Sequence, residues 1–199
     1  MTAPETSGAR QAASTERRGV PLLSVPFVAL VLANVFWFLG FATYFLLPKF
    51  LVTRLDASEM QVGWIMASFG LLSITSLPLV GTLSDRFGRK PFLVTGALIL
   101  AATSVGFELV VEVGPMVYAL RTIQGLAFAC WFVCSSTLVI DLVDENRRGG
   151  ALGVFGISTL STHGIAPSVA EWIALEHGYA WVFALACAYA LTAGILAIG

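Results

Sequence analysis

Few residues in this chain have both the type and the setting for chemistry, and most of them are charges standing where charge is expensive. Arg121 lies inside the apolar run 115–143, about two turns from its start, and Gln124 follows one turn later on the same side of a helix. His163 and Glu171 stand in the run 150–174 with Pro167 between them, and Asn34 and Trp37, three residues apart, lie deep in the run 26–48. A further group is packed into one turn, Gly81-Thr82-Leu83-Ser84-Asp85-Arg86-Phe87-Gly88-Arg89-Lys90-Pro91, and Asp141 ends the run that contains Arg121. An imidazole, carboxylates and bases placed this way are suited to passing protons and to making and breaking ion pairs. Covalent catalysis is not indicated, because no GxSxG or HExxH occurs. Two His and three scattered Cys without a CxxC pair call for no metal and no cofactor.

The elements that must carry these residues follow from composition. The 199 residues are 57% hydrophobic and 12% charged, and the mean hydropathy is +0.86. A soluble domain is about 25% charged. This chain lacks the polar surface of such a domain and reads as an integral membrane protein. Its 11 Lys+Arg against 12 Asp+Glu leave a net charge of -1, so nucleic acid has no electrostatic footprint to bind. A bilayer core of about 30 Å needs roughly 20 helical residues. Six runs of that length are present, at about 26–48, 60–80, 91–111, 115–143, 150–174 and 179–199. Pro26, Pro91 and Pro115 fall at first-turn positions, and Ser58 with Gln61 forms a capping-box pattern. The runs are too long and too continuous for barrel strands. Residues 1–22 lack the apolar content to fold and are expected to be a disordered cytoplasmic tail ahead of a six-helix membrane bundle over 23–199.

Arg10, Arg17 and Arg18 precede span 1, Arg86, Arg89 and Lys90 lie between spans 2 and 3, and Arg147 and Arg148 lie between spans 4 and 5. The other side carries only Lys49 and Arg54, which sets the basic side, with the N-terminus, in the cytoplasm of a multi-pass cell-membrane protein. In the turn between spans 2 and 3, Gly81 is expected to stop one helix, Gly88 to supply the turn and Pro91 to restart the next. Asp85 and Arg89, four apart, are placed to pair. Small residues recur at four-residue intervals at Ala102/Gly106, Gly149/Gly153 and Ala186/Ala190/Gly194, which suits close helix packing in lipid. Tyr44, Trp172 and Trp181 are expected at the interfacial aromatic belt. Glu108 is a candidate partner for Arg121. Ser68-Phe69-Gly70 followed by Pro78 is echoed by Val154-Phe155-Gly156 followed by Pro167, as a 3+3 repeat would give.

The turn Gly81, Leu83, Asp85, Arg86, Gly88, Arg89, Lys90 resembles the signature G-x-L-a-D-r-x-G-R-K of the major facilitator superfamily of secondary transporters. Arg121-Thr122-Ile123-Gln124-Gly125 is similar to the R-x-x-Q-G element of its proton-coupled exporters, and Arg148-Gly149 with Gly153 to the motif that opens span 5. The resemblance implies an all-α, six-helix N-terminal half of that fold with a 3+3 inverted repeat, since members have twelve helices. It implies no enzyme, but a transporter for a small organic molecule and protons, working by alternating access within the lipid bilayer. The missing C-terminal six-helix half, or a second copy, completes the path. It also implies a gating role for Gly81, Asp85, Arg86, Gly88, Arg89 and Lys90, with Asp141 as the acid that meets Arg89. Asn34, Trp37, Arg121, Gln124, His163, Pro167 and Glu171 are the candidates for the substrate or proton pathway. Drug antiporters of the family carry G-x-x-x-G-P-x-x-G-G in span 5. Here Pro167 is kept while Ala170 and Glu171 replace the glycine pair, which argues against multidrug export and leaves proton-linked efflux of some small organic molecule as the expectation. A membrane-embedded enzyme and a membrane scaffold are the rival readings. The first wants a nucleophile and base at membrane depth, and the second leaves Arg121 without a use.

Overall fold

The computed structural model describes residues 24–198; the expected tail lies outside the described residues. Helix α1 covers Val25–Ala42, where Ser24 Oγ accepts the Phe27 N–H and Pro26 sits in the first turn. A 3-10 turn, Thr43–Leu46, leads into α2, Leu47–Leu55. Span 1 is therefore longer than its expected limit at residue 48 and is interrupted just before Pro48. Proline has no N–H for the Tyr44 carbonyl and its ring crowds that carbonyl, so the turn tightens and the Leu47 N–H bonds to Tyr44 instead.

The second span is α3, Glu59–Phe87, started by the reciprocal bonds of Ser58 and Gln61. It does not stop at Gly81. The helix runs through that residue, Ser84 Oγ returns a hydrogen bond to the Gly81 carbonyl, and the chain turns only at Gly88, whose φ of 88° is open to glycine at little cost. Asp85 and Arg86 thus stand on the last helical turn. Next come α4, Lys90–Glu108, α5, Pro115–Leu142, α6, Arg148–Glu176, and α7, Tyr179–Ile198. Helices stand over all six expected spans. Among the described residues, five segments are long and apolar enough to cross a membrane: Val25–Leu55, α3, α4, α5 and α7. Helix α6 has the length, but Ser158, Thr159, Ser161, Thr162, His163 and Ser168 lower its apolar content.

The result is an all-α membrane bundle. Helix α3 packs on α5, α5 on α4, α4 on α7, α7 on α1 and α1 on α6. This neighbour pattern maps onto itself when spans 1, 2 and 3 are exchanged with 4, 5 and 6, as an internal repeat requires. Helices α3 and α6 correspond under that exchange, and each has 29 residues and an interior proline, Pro78 and Pro167. They are also the outermost helices, exposing Trp64, Leu71 and Ile74 on α3 and Ile157, Leu160 and Ile165 on α6.

Glycine sets the seams. A Cβ at Gly125 of α5 would stand 2.5 Å from the Phe69 carbonyl oxygen of α3, one at Gly96 of α4 2.9 Å from the Ala127 oxygen of α5, and one at Gly40 of α1 2.9 Å from the Ala186 oxygen of α7. Backbones meet there at distances only glycine allows. Ala186, Ala190 and Gly194 serve this packing as expected, whereas Gly149 and Gly153 face open space within this chain. Their interval is right, but α6 turns that ridge away from the bundle.

Two measurements check this architecture. Gly125→Ala should lower the thermal stability of the purified protein by about 1–3 kcal/mol through overpacking against a backbone, while Gly153→Ala should change it by no more than about 0.5 kcal/mol. For topology, Ser84 is a poor reporter because it is buried. In a background with the native cysteines replaced, Glu145→Cys should label only from the cytoplasmic side and Val111→Cys only from outside; both positions are exposed, at opposite ends of α5.

Candidate functional site

The charged turn closes on itself at one end of the bundle. Arg89, at the N-cap of α4, forms an ion pair with Asp141 on the last turn of α5, and its Nη2 lies 3.5 Å from Asp85 Oδ1 on the last turn of α3. The Arg89 side chain is mostly buried and the two acids are half or more exposed, so one base is shared by two carboxylates from two other helices. Lys90 reaches elsewhere, donating from Nζ to the Ile198 carbonyl at the end of α7. The guanidinium of Arg86 sits 5.4 Å from the neighbouring Phe87 ring. A cleft of about 300 Å³ is lined by Ser84, Asp85, Gly88, Arg89, Lys90, Leu138 and Asp141. Ion pairs join three helix ends here, and such pairs can be exchanged for others as the ends move.

Arg121 lies about two turns into α5 and is 2% exposed. Its Nη1 donates to Gln124 Oε1 at 2.9 Å, and Gln124 Nε2 donates to Thr103 Oγ1 of α4 at 3.2 Å. Its Cζ stands 4.5 Å from the ring centre of Phe69 and 6.0 Å from that of Tyr44. Nε is buried without a partner. No carboxylate of the described residues, Glu108 included, lies within ion-pair distance of Arg121. Aromatic faces and an amide therefore replace the acid, which lowers the cost of burying the charge without neutralising it. Tyr44 is not a belt residue. It is 2% exposed and its hydroxyl donates to Ser104 Oγ at 2.9 Å, because the 3-10 turn before Pro48 swings it inward.

Asn34 is fully buried and joins three helices. Its Nδ2 donates to Ser158 Oγ at 3.1 Å and Thr159 Oγ1 at 2.8 Å on α6, and its Oδ1 accepts from Trp131 Nε1 of α5 at 3.2 Å. Trp37 is likewise fully buried, stacked between Phe41 and Trp131 with ring centres 5.3 Å apart on each side, and its Nε1 has no partner. Neither residue lines an open cavity in this chain. His163 packs against the rings of Phe38 and Phe45, and its Nδ1 lies 2.8 Å from the Thr159 carbonyl, to which it donates. Pro167 withholds an N–H from the His163 carbonyl. Glu171, at the far end of α6, pairs with Lys49 of α2. Trp172 and Trp181 are exposed, as belt residues are.

The sequence-derived candidates thus fall into separate places: the Arg89 cluster at one end, Glu171 at the other, and Arg121 with Gln124 and Asn34 with Trp37 as two buried groups between. Trp131, Phe69 and Lys49 were missed. Trp131 was within reach, since Arg121, Gln124, Phe128 and Trp131 recur at i, i+3, i+7 and i+10 on one face. No local signal marked Phe69 or Lys49. Asn34→Leu leaves Trp131, Ser158 and Thr159 without their shared partner and should cost about 1–3 kcal/mol in thermal unfolding, whereas Asn34→Gln should recover part of that loss.

The sequence profile of the Major Facilitator Superfamily matches residues 27–199. Curated relatives include multidrug resistance protein MdtL of Shewanella oneidensis, 28% identical over 137 residues that make up 69% of this chain and 34% of the relative. Multidrug resistance protein 1 of Bacillus subtilis is 27% identical over 86% of this chain and 44% of its own length. The human Hippocampus abundant transcript-like protein 1 is 28% identical over 93% of this chain and 36% of its own. The chain therefore spans between a third and a half of the length of these relatives. Two of the names speak of multidrug resistance, against the expectation drawn from Ala170 and Glu171; in the structure Ala170 is core and Glu171 is tied to Lys49 near the end of α6. With a matched profile over nearly all of its length and an all-α membrane bundle beneath it, the chain belongs to the Major Facilitator Superfamily.

Proposed function

We propose that this chain is the N-terminal six-helix half of a proton-coupled secondary transporter that exports small lipophilic organic molecules from the cytoplasm by alternating access. The observation that carries this reading is Arg121, a cation kept at membrane depth at a cost of about 2.5–3.5 kcal/mol on insertion scales, with no carboxylate to neutralise it. A fold held together by helix packing has no structural need of such a group. A transporter has one, since a buried guanidinium changes the proton affinity of any acid brought near it.

Several features support the rest of the mechanism. The Arg89 ion pairs with Asp85 and Asp141 join three helix ends on the basic side, where they act as a latch for one of two arrangements. The exposed apolar faces of α3 and α6 are the surfaces on which the complementary half, from a longer chain or a second copy, completes the path. Phe45 and Phe132 are exposed and Phe69 and Phe128 half-buried, which gives that path an aromatic wall fit for lipophilic substrates. His163 stands at its edge as a proton-carrying group. Two relatives named for multidrug resistance agree with efflux.

The test is flux in proteoliposomes containing the intact protein under an imposed pH gradient. Arg121→Ala should reduce proton-driven flux by roughly tenfold or more, the scale of one lost charged hydrogen-bonding partner. Arg121→Lys, which keeps the charge and loses the planar fork, should retain more. Asp85→Asn should slow transport while insertion and yield stay unchanged. Normal flux in Arg121→Ala with only a lower melting temperature would assign Arg121 to structure alone.

A further inference from the structure

The surroundings of Arg121 are unequal in a way that bears on access. Gln124 and Tyr44 are core residues, each held by a second bond, to Thr103 and Ser104. Of the two rings that face Arg121, that of Phe69 is half-buried and the nearer, 4.5 Å from Cζ against 6.0 Å for Tyr44. Beside it the aromatic wall continues: Phe69 lies 5.7 Å from Phe128, which stacks on Phe132 at 5.3 Å, and 5.5 Å from Phe41, which leads to Phe45. Beneath the ring, Arg121 keeps a fully buried Nε with no hydrogen-bond partner.

We propose that Phe69 controls access to Arg121 as the placeholder for the anionic end of an aromatic or similarly planar lipophilic molecule, an assignment that rests on the transport reading above. The ring offers the guanidinium the partial negative charge of its face while no better partner is present. Its backbone cannot yield, because the Phe69 carbonyl is in contact with Gly125 at a distance that excludes even a methyl group. Rotation about the side-chain bonds remains, and this is the movement that uncovers Arg121. A carboxylate then takes the free Nε–H, in the plane in which a guanidinium donates, and the displaced ring meets the apolar body of the same ligand on the Phe128 and Phe132 wall. A cation is disfavoured here. Arg121 is a buried cation with which no carboxylate of the described residues pairs: Asp85 and Asp141 are taken by Arg89 and Glu171 by Lys49.

The experiment is modification of arginine by phenylglyoxal in the intact protein in lipid nanodiscs, read by peptide mass spectrometry at Arg121 with exposed Arg54 as the internal reference. Arg121 should react slowly in the native protein and about tenfold or more faster in Phe69→Ala, the factor that loss of a desolvated cation–π contact gives to an opening equilibrium. Phe69→Leu, which keeps most of the volume without the ring face, should fall between them and carries the comparison if the alanine variant is poorly folded. 2-Naphthoate should slow the Arg121 reaction in the native protein, and 2-naphthylmethylamine should not. Equal Arg121 rates in all three proteins would overturn the assignment of Phe69. Protection by both naphthalene compounds, or by neither, would overturn the anionic ligand class. No readout depends on flux, so a chain that fails to couple protons still reports whether Phe69 covers Arg121.

Discussion

Lipid supplies no hydrogen bonds, and the arrangement of this bundle follows from that constraint. Each polar group carried into the apolar layer has to be satisfied by its own helix or by another one. Most of the hydroxyls take the local solution and donate to the carbonyl three or four residues back, as Thr75, Thr95, Thr122 and Ser135 do. Asn34 does not, and three of the four bonds its amide can make are supplied by Trp131, Ser158 and Thr159 on α5 and α6. One amide thereby fixes the rotation of three helices whose apolar surfaces would pack in many registers. Gly40, Gly96 and Gly125 close the other seams, α1 on α7, α4 on α5 and α5 on α3, where the backbones come into contact.

Within that frame the charged groups divide by depth. At the helix ends, where water reaches, acids and bases pair across elements: Arg89 with Asp85 and Asp141, Lys49 with Glu171. Such pairs add little to stability because solvent screens them and their side chains lose freedom. They are suited to being made and broken, and the two cross-helix groups lie at opposite ends of the bundle. At depth the arrangement is reversed. Arg121 has rings and an amide in place of an acid, which leaves its charge available rather than spent on a fixed neighbour.

The internal exchange symmetry links these levels. Because α3 and α6 occupy corresponding outer positions, the bundle presents two similar 29-residue helices with interior prolines, each packed chiefly on one neighbour. Pro78 and Pro167 leave the carbonyls one turn earlier without their usual donors. These are the helices least restrained by the rest of this half, and they carry Asp85 at one end of the bundle and Glu171 at the other.

Much of this was legible in one dimension. Hydropathy over about 20 residues marks spans whatever they pack against, and caps such as Ser58 with Gln61 and the turn at Gly88 are encoded by residues that touch their neighbours in sequence. The pairing of Asp85 with Arg89, four residues apart, was legible for the same reason, whereas Asp141 as a second acid on Arg89 came from the family resemblance. What needed the tertiary structure was the direction each side chain faces. These helices are apolar almost all the way round, so no hydropathic face sets their rotation, and the partners of Asn34 stand 97 to 125 residues away. The 3-10 turn before Pro48 put Tyr44 in the core rather than at the belt, helix rotation turned Gly149 and Gly153 outward, and α3 ran through Gly81 to the next glycine. The sequence by itself determined which segments cross the membrane and which charges lie at their ends; only packing decided that Arg121 lies under the ring of Phe69, because that contact depends on the relative register of two helices and no local pattern encodes it.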